Sequence, residues 1–234
     1  MNAESRAPFV IVCDHAGRRV PARLGDLGAP PEALERHIAL DLGAEAVATR
    51  LAEALGACAV IQSYSRLVID CNRDPAHPDA FAAVADGTPI PANAALTAED
   101  RQARIREIFE PYHRAIDAAL EARGRNVVLV SVHSFTPRMG GKDRPWGFSV
   151  IHGDDSPFSA AMLGLLRREH VLPVGDNEPY LMDGTDFTVP HHAGGRGLDY
   201  LELEMRQDLI ETVEGQERAA ALLARLLPVA MRRR

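Results

Sequence analysis

Short apolar runs alternate with helically spaced apolar positions along the chain. Residues 9–12 (Phe-Val-Ile-Val) predict a buried strand. Residues 31–55 place Leu34, Ile38, Leu42, Val47, Leu51 and Leu55 at helical intervals, after Pro30 and Pro31 and before Gly56, and predict one helix. Residues 59–61 and 67–69 are further strand candidates, and residues 74–93, rich in Pro, Ala, Asp and Gly, read as a long loop. Thr97 caps a helix expected to run to about Arg123 with a kink at Pro111. Residues 127–132 form the strongest strand, apolar almost throughout, as in a parallel sheet covered on both faces. Ser156-Pro157 opens a helix to about His170, residues 201–205 alternate as a strand, and residues 210–231 close the chain as a helix. No repeat and no linker interrupts this alternation. The expectation is one α/β domain over residues 1–234, with three layers (α/β/α) around a mostly parallel mixed sheet.

Charge and composition narrow the partners. The 33 acidic and 26 basic residues leave a net charge of −7, which argues against a nucleic-acid partner. Arginine accounts for every basic residue except Lys142, and its planar fork suits carboxylates. No apolar run approaches the roughly 20 residues that a membrane span needs, so no membrane partner is expected. Cys13, Cys58 and Cys71 show no paired spacing, which favours neither a disulfide framework nor a cysteine-rich zinc site. With no basic leader at the N-terminus, the expected compartment is the cytoplasm. A homo-oligomer is compatible with all of this.

The chemistry collects where strands end. Asp14-His15 follow the first strand, His133 follows residues 127–132, and Asp70-Cys71-Asn72-Arg73 follow residues 67–69. Open α/β sheets bind ligands outside the carboxyl ends of their strands, so these clusters are expected to share one crevice. His37 and Asp41, four residues apart on the expected helix, would share a face. Two histidines and a carboxylate are the ligand set of a catalytic zinc with an open water position. Plainer readings exist for each fragment: a hydrogen-bonded strand-end histidine, a turn at 70–73, Glu202 and Glu204 on the solvent side of an edge strand, and His191-His192 in a glycine-rich loop. There is no Gly-x-Ser-x-Gly elbow, P-loop or dinucleotide fingerprint, and Gly140-Gly141 beside Lys142 lacks the required spacing.

Four segments then carry a resemblance: Val12-Cys13-Asp14-His15-Ala16-Gly17-Arg18, His37-Ile38-Ala39-Leu40-Asp41-Leu42-Gly43, Ser65-Arg66-Leu67-Val68-Ile69-Asp70-Cys71-Asn72-Arg73, and Leu203-Glu204-Met205-Arg206-Gln207-Asp208. In this order, over about residues 10–210, the chain resembles the N-formylglutamate amidohydrolase family. The resemblance implies a phosphorylase/hydrolase-like fold similar to zinc carboxypeptidases and aspartoacylases. It also implies one zinc ion, a small N-acyl amino acid substrate such as N-formyl-L-glutamate, and attack of water on its amide. Asp70-x-Asn72-Arg73 is similar to the aspartoacylase-type motif in which Asn72 and Arg73 would hold a substrate carboxylate, with Arg196 or Arg138 for a second. One departure stands out: those relatives take two ligands from His-x-x-Glu, whereas Arg18 occupies the glutamate's place here. Beside His15 and His133, the carboxylate ligand must come from elsewhere, Asp41 being the first choice and Asp14 the second. The resemblance also implies Glu204, ahead of Glu202, as general base, and Arg66 is expected to act as oxyanion donor.

Overall fold

Phe9–Cys13 (β1) is buried at every position, as a strand must be when helices cover both faces of its sheet. It belongs to a six-stranded sheet with Cys58–Ile61 (β2), Val128–Phe135 (β3), Phe148–Ile151 (β4), Val174–Asp176 (β5) and Asp199–Arg206 (β6), in the spatial order β2-β1-β3-β6-β4-β5. This is a computed structural model, and it describes residues 1–153, 156–169 and 172–233. β2, β1, β3 and β6 run parallel, while β4 pairs antiparallel with β6 and parallel with β5. The sheet is therefore mixed and mostly parallel, the core of an α/β fold.

Helices Ala44–Leu55 (α1), Pro157–Glu169 and Val213–Met231 pack on one face, where Leu51, Met162 and Leu223 meet Ile11, Val130 and Leu203. On the other face, Ile116 and Leu120 of the helix Glu110–Glu121 meet Val12 and Leu129, together with Leu67 and Ile69. Among the described residues, no helix is long and apolar enough to cross a membrane.

Three departures from the sequence expectation shape the site. Residues 31–55 are not one helix: a 3-10 turn at Pro31–Glu35 is followed by non-helical residues 36–43 before α1 begins. Gly43 makes the break possible, with φ of 80° and a backbone so close to Ile210 that a Cβ would lie 2.4 Å from its carbonyl oxygen. Residues 67–69 are a buried turn, not a strand. The Leu67 and Val68 carbonyls accept from Asn93 Nδ2 (2.8 Å) and the buried Arg104 Nη1 (2.7 Å), so side chains replace a neighbouring strand. The helix capped by Thr97 is interrupted by a π turn at Ile105–Phe109, which delivers Pro111 to the first turn of the next segment.

Elsewhere the differences are small. The 74–93 stretch contains a two-stranded hairpin, Val84–Ala85 with Thr88–Pro89. The helix opened by Ser156-Pro157 is present, its expected end at His170 lying outside the described residues. The last helix starts at Val213 because Thr212 Oγ1 caps it, accepting from Gly215 N (3.2 Å). β4 and β5 were not expected.

Candidate active site

Sheet register builds the site. Ser131 lies opposite Glu202 and His133 opposite Glu204 across β3 and β6, while Val12 of β1 lies opposite Ser131. The period of two then puts Ser131, His133, Glu202 and Glu204 on one face, with Asp14-His15 emerging beside His133 from the end of β1. Gly17 lets the chain turn there, since a Cβ would lie 1.9 Å from the Ser63 carbonyl oxygen. The non-helical 36–43 segment closes over the strand ends: Asp41 N donates to His15 O (2.8 Å), and Ser134 Oγ donates to Leu42 O (2.9 Å). His15, Asp41, Arg66, His133, Glu202 and Glu204 line a cavity of about 550 Å³.

Hydrogen bonding decides which histidine nitrogens face that cavity. His15 Nε2 donates to Asp70 Oδ1 (2.7 Å); a carboxylate only accepts, so the proton is on Nε2 and Nδ1 offers its lone pair. His133 Nε2 lies 3.2 Å from Asp14 Oδ2 and 3.0 Å from Ser131 Oγ, leaving Nδ1 at 2.9 Å from Asp41 Oδ2. Asp41 Oδ2 is 3.5 Å from His15 Nδ1. Each of the three residues thus offers one ligand atom, all within 4.8 Å of one another. Positive charge already gathers there. Burial would lower the His133 pKa, but its bonds to Asp14 and Asp41 raise it well above the usual histidine value. Arg66 Nη2 donates to Asp41 Oδ1 and touches His15 Nδ1. Two nitrogens and one oxygen, with a carboxylate behind each histidine, make a donor set that fits a zinc ion.

The surrounding carboxylates have separate duties. Asp14 Oδ1 accepts from Tyr112 OH (2.8 Å) and Thr188 Oγ1 (2.8 Å), so the second-choice ligand stands behind His133 and supports it. His37 does not share a helical face with Asp41; the pair meets across a turn, Nδ1 to Oδ1 at 3.4 Å, and burial brings the His37 pKa down to about 4. Glu202 and Glu204 are on an interior strand, not an edge. Burial pushes the Glu204 pKa up to about 8, Asp41 and Asp186 adding to it while His133 and Arg66 oppose, and Glu202 rises well above the carboxylate range. The Oε2 atom of each is buried, with no hydrogen-bond partner among the described residues.

The family model for N-formylglutamate amidohydrolase matches residues 7–211. The chain belongs to that family. A crystal structure of gene product Atu2144 from Agrobacterium tumefaciens superposes with a TM-score of 0.94 at 36% identity, covering 99% of this chain and 93% of that one. The N-formylglutamate amidohydrolase from Ralstonia eutropha JMP134 shares the fold, with a TM-score of 0.70 at 22% identity over 98% and 94% of the two chains. No curated protein matches significantly.

For a member of the N-formylglutamate amidohydrolase family, the arginines are placed unexpectedly. Arg73 Nη1 donates to Asp186 Oδ1 (3.0 Å), and Asn72 Nδ2 donates to the same atom (3.2 Å) while Asn72 Oδ1 accepts from Thr188 N (2.9 Å). The expected carboxylate clamp thus holds a carboxylate of its own chain. Arg196 does not line the cavity: it pairs with Asp117 on the helix Glu110–Glu121, beside His192. Arg138 does not line it either, being exposed on the hairpin Arg138–Met139/Lys142–Asp143 with Asp143 Oδ1 at 3.5 Å. Both corrections have one cause, a nearer carboxylate on the outer surface. Sequence reasoning passed over Asp186 and Tyr180, which line the cavity from residues 177–187, where no periodic pattern marks them.

Proposed function

We propose that this chain hydrolyses the N-formyl amide of an acidic amino acid, N-formyl-L-glutamate, to formate and L-glutamate, using one zinc ion held by His15, Asp41 and His133. One observation carries the reading: three ligand atoms converge on one point, and Glu204, the cross-strand neighbour of His133, enters the same cavity. When bound, zinc supplies the Lewis acidity that polarises the scissile carbonyl and makes water acidic near neutral pH. The chain's own residues do the rest. Asp70 and Asp14 fix the two imidazoles with Nδ1 inward. Glu204 takes a proton from the attacking water at its unpartnered Oε2 and returns it to the departing amide nitrogen. Arg66 donates to the oxyanion of the tetrahedral state, a kind of contact whose loss costs about 2.7–4 kcal/mol. Arg73 receives the substrate's α-carboxylate in place of Asp186.

The test is metal removal. Protein stripped with a chelator is expected to stop releasing formate from N-formyl-L-glutamate and to recover with added zinc; full activity after exhaustive stripping would overturn the mechanism.

A further inference from the structure

A glutamate-type substrate carries a second carboxylate, and the cavity offers it little positive charge. Carboxylates outnumber arginines on the wall, and both lining arginines already face one: Arg66 meets Asp41 and Arg73 meets Asp186. Around the rim, Arg36 pairs with Asp86 and Arg138 with Asp143. Arg144 differs. It is half-buried, and among the described residues no carboxylate stands within ion-pair distance of it. Its Nη1 donates to Tyr180 OH (3.1 Å) and Thr136 Oγ1 (3.3 Å), and among the described residues its Nη2 has only Met139 Sδ (3.2 Å). The guanidinium carbon lies 5.0 Å from the Tyr180 ring centroid and 5.9 Å from that of Phe135. Arg144 stands directly behind the cavity wall: Tyr180 and Met139, which it touches, both line the cavity, and His37 inside it feels the Arg144 charge.

We propose that Arg144, with the Tyr180 hydroxyl, anchors the distal carboxylate of the substrate. A thioether is a weak acceptor on a flexible side chain, so a carboxylate entering past Met139 exchanges a poor partner for a charge-assisted bond. The fork is already oriented: Arg144 N donates to Pro137 O (2.9 Å), its carbonyl accepts from Arg206 Nη1 (3.4 Å), and two aromatic rings flank the guanidinium. The anchor is what would distinguish glutamate from glutamine. This inference rests on the proposed substrate class, and its test separates the two.

The measurement compares N-formyl-L-glutamate with N-formyl-L-glutamine in the zinc-loaded protein, alongside calorimetric titration with L-glutamate and L-glutamine. Wild-type protein is expected to prefer the dicarboxylate in both assays. Arg144→Gln should reduce the kcat/KM ratio between the two substrates by about 10- to 100-fold, through KM rather than kcat. Arg144→Lys should restore part of the preference, and Tyr180→Phe should cost less than Arg144→Gln. Equal losses on both substrates, or a preference that survives Arg144→Gln, would overturn the anchor. Deformylation by wild-type protein without any preference also overturns it, leaving the proposed reaction intact. Conversely, Arg144-dependent binding of glutamate over glutamine in a protein that releases no formate supports the anchor and removes the reaction.

Discussion

The cluster of His15, Asp41 and His133 and the cluster of Asp117, His191 and His192 contain the same kinds of donor, and in each the donor atoms lie within 4.8 Å of one another. Their surroundings differ. Behind the first stand Asp14 and Asp70, one for each histidine, so the site gathers three buried carboxylates, of which Asp41 pairs with Arg66. In the second, Asp117 is the one carboxylate in contact among the described residues, and Arg196 already takes it; His192 Nε2 faces His113 Nδ1 (2.8 Å), whose Nε2 in turn faces the Cys71 carbonyl. The imidazoles report that difference. Burial brings the His113 pKa down to about 4 and lowers that of His192, whereas at His133 the same burial is overridden by two carboxylates. Donor count alone does not make a cation site; the surplus of buried negative charge behind the donors does.

Breaking each cluster in turn tests this. His133→Ala is expected to abolish stoichiometric zinc and to lower formate release on the order of 10⁴-fold, more than about 5 kcal/mol of barrier. His192→Ala should keep its zinc by elemental analysis and lose only about 1–3 kcal/mol of stability in denaturant titration, from the unpartnered His113 and Asp117 it leaves. Loss of zinc in both variants would remove the distinction. A second contrast lies within the first cavity. Glu204→Gln should reduce kcat by about 10²- to 10⁴-fold with zinc retained, and Glu202→Gln by no more than about tenfold, since Glu204 lies opposite the ligand His133 whereas Glu202 lies opposite Ser131. Comparable losses in the two would move the base to Glu202.

The two regions were also unequally legible in the sequence. His15 and His133 could be read because each ends an apolar run, and a parallel sheet delivers strand ends to one crevice. Helical spacing singles out Asp41, yet the structure has no helix there; Gly43, whose φ breaks the helix, is the local signal that residues 36–43 form a separate segment. The triplet at 67–69 looks like any short strand, because the partners of its carbonyls, Asn93 and Arg104, lie 26 and 36 residues away. Val174–Asp176, a Val-Gly-Asp strand, has too few residues to show a period. Arg138 and Arg196 are candidates by type, and nothing local reveals that Asp143 and Asp117 already hold them.

The smallest expected effect probes the carboxylates behind the histidines. In Asp14→Asn the side-chain oxygen can still accept from Tyr112 and Thr188, so packing is preserved. The amide nitrogen, however, now donates toward His133 Nε2, which must become the acceptor; the imidazole proton then moves to Nδ1, the atom needed for the metal. Zinc affinity is expected to fall about 10- to 100-fold by competition with a calibrated chelator, and Asp70→Asn should do the same through His15. In metal-free protein the same carboxylate has a pH signature. Burial alone would raise the Asp14 pKa, but His133, His15 and Tyr112 outweigh it and hold it well below the carboxylate range. A lowered folded-state pKa means that its stabilisation is present above about pH 4 and lost as the pH falls further. The stability gap between wild type and Asp14→Asn should therefore be full at pH 7 and narrow toward pH 3; a gap that widened in acid would mean that Asp14 is not held as a carboxylate, and the two clusters would lose the feature that separates them.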